Sequence, residues 1–400
     1  MDAAPVNQVP LRVAVAGAGA FGKNHLRVYR ELETAGAALV AAVEPDAARA
    51  ADAAAKYAIP VFSTVDELLA AGLKLDAATV AVPTVHHHAV ASALLDAGLD
   101  LLVEKPLAAS LAEADDLIAR AEKNHRILQP GHLERFNPAV LAIQPQLRRP
   151  MFFEAHRLSV FTPRALDVDV VLDLMIHDLD IVLAFAASPV REVRAVGLPI
   201  LSPKVDIANV RVEFESGCVA NFTASRVSTE RVRKLRFFEP RQYVSIDYAR
   251  QDVLVIRVNA DAGKTSPADL IAKLPPQIAA LLPPGIAEGI ASGVIDLKKI
   301  DPALIAQFAA MAKIDPAVIT QFTTPAEPKA GLSFSRPPVT PGEPLRLEIL
   351  SFLECVRTRR TPRVTAQQGR NALALALEIQ ASMAAHAKRA GLEDFFNPGA

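Results

Sequence analysis

The sequence lacks the features of secreted, zinc-binding and membrane proteins. Its 400 residues include two cysteines, Cys218 and Cys355, and no CxxC or Cys/His spacing surrounds them. This usage predicts free thiols in a reducing compartment and no structural zinc site. The opening stretch MDAAPVNQVP has no basic segment followed by an apolar one, so no signal peptide is predicted. No run approaches the ~18 apolar residues of a membrane span, and we expect a cytoplasmic protein.

The sequence also has no excess of positive or of negative charge. The formal net charge is −1 at pH 7, with 22% charged and 51% hydrophobic residues. This is the balance of a globular protein, and it predicts neither a nucleic-acid nor a membrane partner. The stretch RTRRTPR, residues 357–363, could contact a polyanion, but we favour a solvated loop between two helices because no wider basic face accompanies it. A chain of this length is expected to form two domains, with or without an insertion.

The most informative stretch that is present is LRVAVAGAGAFG, residues 11–22. An apolar run leads into Gly17, Gly19 and Gly22, spaced as G-x-G-x-x-G and followed by a helix-capable segment. The first glycine permits a sharp turn, the second lets backbone N–H groups approach a pyrophosphate, and the third lets the helix pack closely. Glu44 is the last residue of the next apolar stretch, ALVAAVE. From this position a carboxylate can bind both hydroxyls of a ribose. We predict a dinucleotide site; the alternative is a tight strand–helix turn without a ligand.

The first third of the chain alternates apolar runs with helical segments. Strands are predicted at residues 39–43, 61–62, 77–82, 101–103 and 127–129, and helices at 46–57, 65–71, 89–97 and 111–123. Gly72 and Gly98 stand where helix C-terminal caps belong. This alternation predicts a doubly wound parallel sheet. We place a dinucleotide-binding domain at residues 1–130 and a second domain at residues 131–400.

Beyond residue 130, apolar strands follow one another without long intervening helices. They are predicted at residues 151–161, 205–216, 218–227, 232–238 and 252–258. This predicts an α/β domain with an open, mostly antiparallel sheet, packed on helices at about 169–186, 344–358 and 366–389. Residues 259–340 fit neither pattern and form an irregular, proline-rich insertion. Such a long segment is functional, disordered or partner-binding, and the sequence does not choose between these.

Glu104-Lys105-Pro106 ends an apolar strand. Ligands of open parallel sheets collect beyond the carboxyl ends of the strands, so Lys105 is placed to stabilise alkoxide charge during hydride transfer. The alternative is an ion pair between Glu104 and Lys105. The run of three histidines at residues 86–88 suggests a metal at first sight. Consecutive histidines point in different directions, however, and we predict no metal site.

Two further clusters carry polar groups. Asp173 and His177 are four residues apart on a predicted helix and therefore share a face. A carboxylate one turn before an imidazole orients it and raises its basicity, as acceptance of a hydroxyl proton requires; the alternative is a surface pair. His132, Arg135 and Asn137 form a donor-rich set at the domain junction. The alternative there is a linker in which Asn137 caps the next helix.

The motifs GAGAFG, PTVHH, EKPLA and DLMIHDLD, in this order, resemble the Gfo/Idh/MocA oxidoreductases over about residues 10–258 and 341–390. The resemblance implies an N-terminal Rossmann domain, a C-terminal α/β domain with an open antiparallel sheet, and catalysis by Lys105, Asp173 and His177, with His177 as the general acid/base. The cofactor-binding residues it implies are Gly17, Gly19, Ala20, Phe21, Gly22, Glu44, Pro83, Thr84, His87 and Glu104. We expect NAD rather than NADP, because a 2′-phosphate would meet the charge of Glu44.

Within the family, GHLERFNPAV and the segment from EAHRLSV to DLMIHDLD are similar to the subgroup acting on UDP-N-acetylglucosamine. Those enzymes oxidise the sugar 3-hydroxyl to a ketone, ahead of amination for a lipid A precursor. The resemblance implies a sugar or nucleotide-sugar substrate and, since exposed sheet faces commonly pair in the family, a homodimer or homotetramer. Two alternatives remain: an NAD-dependent glycoside hydrolase and a non-catalytic NAD-binding regulator.

The candidates for substrate binding are His132, Asn137 and three arginines, Arg135, Arg157 and Arg164. Arginine suits bidentate contact with a diphosphate or carboxylate.

Overall fold

The structure is a computed structural model that describes residues 9–161, 168–258 and 332–392. The chain divides into two compact units. The first contains the chain up to Pro240, Val244–Leu254 and the chain from Arg336 onward; the second contains Arg241–Tyr243 and Val255–Ser335. All the candidate site residues belong to the first unit. The predicted insertion at 259–340 lies mostly outside the described residues, and the boundary near residue 130 stays a prediction.

The N-terminal part of the first unit forms a parallel sheet between helices. Its strands are β1 (Leu11–Ala16), β2 (Ala37–Val43), β3 (Val61–Phe62), β4 (Ala77–Val80), β5 (Asp100–Glu104) and β6 (Leu128–Gly131). Its helices are α1 (Gly22–Glu31), α2 (Ala47–Tyr57), α3 (Val65–Ala70), α4 (His87–Asp96) and α5 (Leu111–Lys123). The order β3-β2-β1-β4-β5-β6 reverses between β1 and β4, and ligands bind at such a switch point. The predicted doubly wound sheet is confirmed.

Capping residues fix where these helices begin and end. Asp46, Thr64 and Ser110 each accept a backbone N–H from three residues further along, at the starts of α2, α3 and α5. Gly72 and Gly98 follow α3 and α4 with φ angles of +65° and +82°, as expected for glycines after a helix. Because these signals are local, the sequence predicted the helix ends closely.

The second sheet follows. Its strands in the first unit are β7 (Phe152–Val160), β8 (Val190–Leu198), β9 (Ile207–Phe214), β10 (Val219–Ser228), β11 (Val232–Glu239), most of β12 (Gln242–Asp247) and the start of β13 (Asp252–Val258). The order is β13-β12-β11-β7-β10-β9-β8. β7 is parallel to β10 and antiparallel to β11, whereas β9 is antiparallel to β8 and β10. The predicted mostly antiparallel sheet is confirmed, and β8 and β12 were not predicted. In the second unit, the end of β13 pairs antiparallel with β14 (Leu332–Ser335).

Among its described residues, the first unit contains four further α-helices: α6 (Pro138–Ile143), α7 (Ile176–Ala186), α8 (Pro344–Thr358) and α9 (Ala366–Arg389). The predicted bounds of α8 and α9 are confirmed. Residues Phe352 and Leu353 of α8 pack into the same core cluster as Leu26 and Tyr29 of α1. The helix predicted at 169–186 is corrected: a π-helical turn, Val171–Met175, precedes α7. Such turns are frequent at functional sites.

The arginine-rich stretch 357–363 leads from α8 into an exposed connection to α9, as predicted. Two of its arginines are nevertheless fixed against the first sheet. Arg357 donates to the carbonyl of Gly36, and Arg359 donates to Asp100 at 2.5 Å and to the carbonyl of His125 at 2.7 Å. These contacts join the C-terminal helices to the N-terminal sheet.

Within the part of the chain that the structure describes, Cys218 and Cys355 are buried free thiols, and burial raises the pKa of Cys218 to about 11. Across the same residues, no group of histidine, cysteine and carboxylate side chains is arranged to hold a metal ion. None of the helices described is long and apolar enough to span a membrane.

Candidate active site

The glycine turn after β1 has the geometry of a pyrophosphate site. Gly17 has a φ of +99°, and a Cβ placed there would lie 2.5 Å from the carbonyl oxygen of Ala81, so only glycine fits. A Cβ on Gly22, which opens α1, would overlap the carbonyl of Gly17. A Cβ on Gly19 would meet no atom within 4 Å. Gly17 and Gly22 therefore shape the turn, while Gly19 lets a ligand approach the backbone at the N-terminus of α1.

Glu44, directly after β2, is tied to this turn. Its Oε2 accepts the N–H of Ala18 at 2.8 Å, and its Oε1 accepts from the N–H of Asp46 at 3.0 Å and from Arg49 at 2.8 Å. Burial acts to raise the pKa of Glu44, but Arg49 and the two N–H groups hold it below its ordinary value. An ionised carboxylate thus stands beside the glycine turn, where a ribose would lie. The residues present fit the adenosine half of a dinucleotide.

The loops after β4 and β5 are joined by a buried histidine. His87 Nδ1 lies 2.9 Å from the carbonyl of Pro106, and its Nε2 lies 3.0 Å from the carbonyl of Val82. Burial lowers the pKa of His87, as expected for a structural imidazole. Pro83 is exposed and Thr84 is partly exposed at the same edge. His87 therefore holds these two loops together from their buried side.

Glu104, the last residue of β5, faces the glycine-turn helix. Its Oε1 lies 2.8 Å from Nε2 of His25 in α1, and its Oε2 accepts the N–H of Lys105 at 3.2 Å. A Cβ on the neighbouring Gly131 would lie 3.0 Å from Glu104, so glycine makes room for this carboxylate. The alternative ion pair between Glu104 and the Lys105 ammonium is not formed. His25 was missed in the sequence, where its only signal is its place one turn into α1.

The Lys105 ammonium instead contacts the π-helical turn. Nζ donates to the carbonyl of Asp173 at 2.7 Å and to that of Leu172 at 3.5 Å, and it lies 3.8 Å from the Asp173 carboxylate. The turn itself is held by Asp169, which accepts the N–H of Leu172 at 3.1 Å and also accepts from Gln380 of α9. Burial lowers the pKa of Lys105, and the charge of Asp173 opposes that shift. The ammonium is held at one side and can donate to a substrate oxygen.

His177, near the start of α7, is the second candidate for a reacting group. It is partly exposed, and its Nδ1 is buried without a partner. Burial, reinforced by the charges of Lys105 and Arg157, lowers the pKa of His177 well below its ordinary value of 6.5. At neutral pH the imidazole is uncharged and can accept a proton. Lys105 contacts the π-helical turn that leads directly into His177, and this places both side chains at one candidate site.

The expected orientation of His177 by Asp173 is not found. The Asp173 carboxylate lies beside Lys105, and the hydrogen bonds of the described residues include none between Asp173 and His177. The expectation relied on α-helical spacing, which does not hold in the π-helical turn. In addition, Lys105 gives the carboxylate a charged partner. Asp173 thus acts on the lysine rather than on the histidine.

The residues of the domain junction are mostly engaged inside the protein. Asn137 caps α6 by accepting the N–H of Ala139 at 3.1 Å, as the alternative interpretation predicted. Arg135 is buried, lies 3.4 Å from Asp180 and lines a cavity of about 620 Å³ between α7 and α9. His132 is buried with neither ring nitrogen partnered, and burial lowers its pKa. None of these placements supports direct contact with a substrate anion.

Arg157 belongs to a buried ion triad. Its Nε and Nη2 donate to Asp178 at 2.7 and 3.1 Å, and its Nη1 donates to Glu134 at 3.1 Å. The guanidinium is occupied on both sides, so the expectation that Arg157 binds substrate is corrected to a structural role. Arg164 lies outside the described residues.

Arg157→Met is expected to lower the free energy of unfolding by about 3–5 kcal/mol, because Asp178 and Glu134 would be left as buried, unpaired charges. Urea denaturation measures this. Arg236→Met is the matched control: its pair with Glu154 spans 3.6 Å at 36% and 35% exposure, and such a pair contributes less than ~1 kcal/mol. Unchanged stability with a raised KM for substrate would return Arg157 to the substrate site.

Comparison with known proteins identifies the chain. The oxidoreductase family with an NAD-binding Rossmann fold matches residues 11–132, and the GFO/IDH/MocA C-terminal domain matches residues 140–241. The chain is 38% identical to UDP-N-acetylglucosamine 3-dehydrogenase of Acidithiobacillus ferrooxidans over 241 residues, which are 60% of this chain and 75% of that protein. The chain belongs to the Gfo/Idh/MocA oxidoreductase family.

A second relative and a solved structure agree with this assignment. The inositol 2-dehydrogenase of Leifsonia xyli is 33% identical over 191 residues, 46% of this chain and 56% of that protein. A solved structure of the Acidithiobacillus ferrooxidans enzyme covers 98% of this chain and 100% of that chain, with a TM-score of 0.73 and 29% identity. The resemblance read from the motifs is thus confirmed. The protein is an oxidoreductase with an NAD-binding Rossmann domain, and the geometry of the glycine turn and of Glu44 fits this cofactor.

Glu44→Gln is expected to weaken NADH binding by about 10- to 100-fold, the range for a hydrogen bond to a charged group. It should also narrow the preference for NADH over NADPH, because the charge opposing a 2′-phosphate is removed while Arg49 remains. Fluorescence titration with both cofactors measures this, with the exposed Glu33→Gln as control. Tighter binding of NADPH than NADH by the unmodified protein would contradict the assignment of Glu44.

Proposed function

We propose that the protein oxidises the 3-hydroxyl of UDP-N-acetylglucosamine to a ketone, with NAD as the hydride acceptor. The observation that carries this proposal is the contact of the Lys105 ammonium with the π-helical turn that leads into His177. The imidazole of His177 is neutral because its pKa is lowered. The substrate is inferred from the 38% identity to a dehydrogenase of that name. The proposed site of action is the cytoplasm, since both cysteines are free.

Two side chains of this protein carry out the proposed reaction. His177 accepts the proton of the sugar hydroxyl, and Lys105 donates a hydrogen bond to the same oxygen and stabilises its developing negative charge. Asp173 holds Lys105 in place through its carbonyl and its carboxylate. When bound, NAD supplies the acceptor for the hydride of the carbinol carbon.

The remaining residues hold the dinucleotide. The turn of Gly17, Gly19 and Gly22, with Ala20 and Phe21 exposed beside it, binds the pyrophosphate at the N-terminus of α1. Glu44 binds the adenosine ribose. We assign Pro83 and Thr84 to the nicotinamide side, with His87 and Glu104 supporting them from within. We further propose a homodimer or homotetramer, which light scattering would test.

Net formation of NADH from NAD and UDP-N-acetylglucosamine tests the function. The proposal expects one NADH for each sugar converted to its keto form. Release of free sugar without NADH would show a glycoside hydrolase instead. Tight NAD binding without turnover of any sugar would show a regulator.

A further inference from the structure

Two arginines stand directly opposite each other on neighbouring strands of the second sheet. β7 and β11 are antiparallel, and their register pairs Arg157 with Arg233. Directly opposed residues share one face of a sheet. Arg157 contacts Asp178 of α7 from this face, so Arg233 projects from the same side of the sheet, beside the helix that carries His177.

The two arginines differ in their partners. Arg157 is neutralised by Asp178 and Glu134. The side chain of Arg233 forms no hydrogen bond or ion pair with any described residue, and its Nε is buried without a partner. Arg233 is partly buried, and a charge withdrawn from water is normally paired directly. Burial and the charge of Arg157 lower the pKa of Arg233, while the charges of Glu134 and Asp178 oppose that shift. A bound anion would supply the direct partner that the Arg233 guanidinium lacks.

Arg233 also lies near the helix of His177, because it stands opposite Arg157, which contacts Asp178, the residue after His177. The charge of Arg233 is among those that lower the pKa of His177. In a nucleotide sugar, C1 and C3 are separated by one ring carbon, so the anomeric phosphate lies near the hydroxyl to be oxidised. A guanidinium matches phosphate oxygens in a bidentate geometry.

We propose that Arg233 binds the diphosphate of the nucleotide-sugar substrate, beside the hydroxyl that His177 deprotonates. The identity of this anion rests on the proposed function. Arg233 takes the role that the sequence assigned to Arg135 and Arg157, whose guanidinium groups face internal carboxylates. The sequence signal for Arg233 was weak, because it is one of several basic residues in the strand VRKLRFFE.

Arg233→Gln is expected to raise the KM for UDP-N-acetylglucosamine by about 10- to 150-fold, the range for loss of hydrogen bonds to a charged group. The KM for NAD is expected to stay unchanged, and kcat is expected to stay within ~3-fold, because uniform binding affects KM alone. Arg233→Lys keeps the charge and should recover part of the loss. The matched control is Arg231→Gln, an exposed arginine two residues away, which should behave as the unmodified protein.

A second substrate separates diphosphate binding from a general effect. N-acetylglucosamine lacks the diphosphate, so Arg233→Gln should leave its KM unchanged. Equal rises for both sugars would overturn the proposal. A raised KM for NAD would place Arg233 at the cofactor instead, and a lowered melting temperature with unchanged KM would make it structural; each of these results overturns the proposal.

Calorimetric titration of the NADH-loaded protein with UDP tests Arg233 without turnover. Binding that weakens at least ~10-fold in Arg233→Gln supports the proposal, even if UDP-N-acetylglucosamine is not oxidised and the proposed function fails. Equal binding by both proteins, or no binding of UDP by the unmodified protein, overturns it.

Discussion

Lys105→Met is expected to lower kcat by about 10²- to 10³-fold, the effect of removing one donor to a developing oxyanion. Methionine keeps the length and apolar stem of lysine but has no ammonium, so the packing of the partly buried side chain is retained. NADH binding should change little, because Lys105 faces the π-helical turn rather than the glycine turn. Steady-state formation of NADH and a separate NADH titration measure the two effects. Lys123→Met, at an exposed lysine of α5, serves as the control.

The same variant has a second expected effect, on the pH profile. After burial, the charge of Lys105 contributes most to the lowered pKa of His177. Without that charge the pKa of His177 should rise towards its ordinary value, and the acidic limb of kcat/KM should move to higher pH. A purely structural lysine would lower activity without moving this limb. If the acidic limb of kcat/KM stayed at the same pH and kcat equalled that of the unmodified protein, Lys105 would have no role in the mechanism.

His177→Asn is expected to lower kcat by about 10²- to 10⁴-fold, the contribution of a positioned general base. Asparagine approximates the shape of the imidazole but cannot accept the hydroxyl proton. In the unmodified enzyme, the depressed pKa of His177 keeps the imidazole neutral at and somewhat below pH 6.5. We therefore expect oxidation to persist as the pH falls to that value.

The control for His177→Asn is His156→Asn, a half-buried histidine on β7, which should retain activity. Turnover by His177→Asn at the unmodified rate would contradict the assignment of His177. So would a loss of activity fully explained by a lowered melting temperature.

The parts of the fold that follow local signals were predictable. Apolar runs, the glycine spacing and helix caps placed every strand of the first sheet and both C-terminal helices. Strands β8 and β12 were missed. In QYVSID the buried Val244 and Ile246 alternate with partly exposed residues, and counting that period of two would have found β12. In VREVRAVGL the buried Ala195 and Gly197 are separated by the exposed Val196, so the polarity of the residues does not show which face is buried.

The parts of the site that depend on distant contacts were not predictable. Lys105 and Asp173 are 68 residues apart, and the π-helical turn that joins them has no signature in the sequence. Arg157 and Arg233 are both basic strand residues, and only the register and the carboxylates of Asp178 and Glu134 distinguish a neutralised guanidinium from an unpaired one. Motifs therefore pointed to the candidate catalytic groups, while the contacts among those groups required the structure.

Transfer of deuterium tests the central claim most directly. UDP-N-acetylglucosamine labelled with deuterium at C3 is incubated with the enzyme and NAD, and the NADH formed is analysed by mass spectrometry. The account predicts NADH that carries the deuterium, a keto product that has lost it, and neither product with Lys105→Met or His177→Asn over the same time. NADH without deuterium, or no NADH at all, would contradict the account.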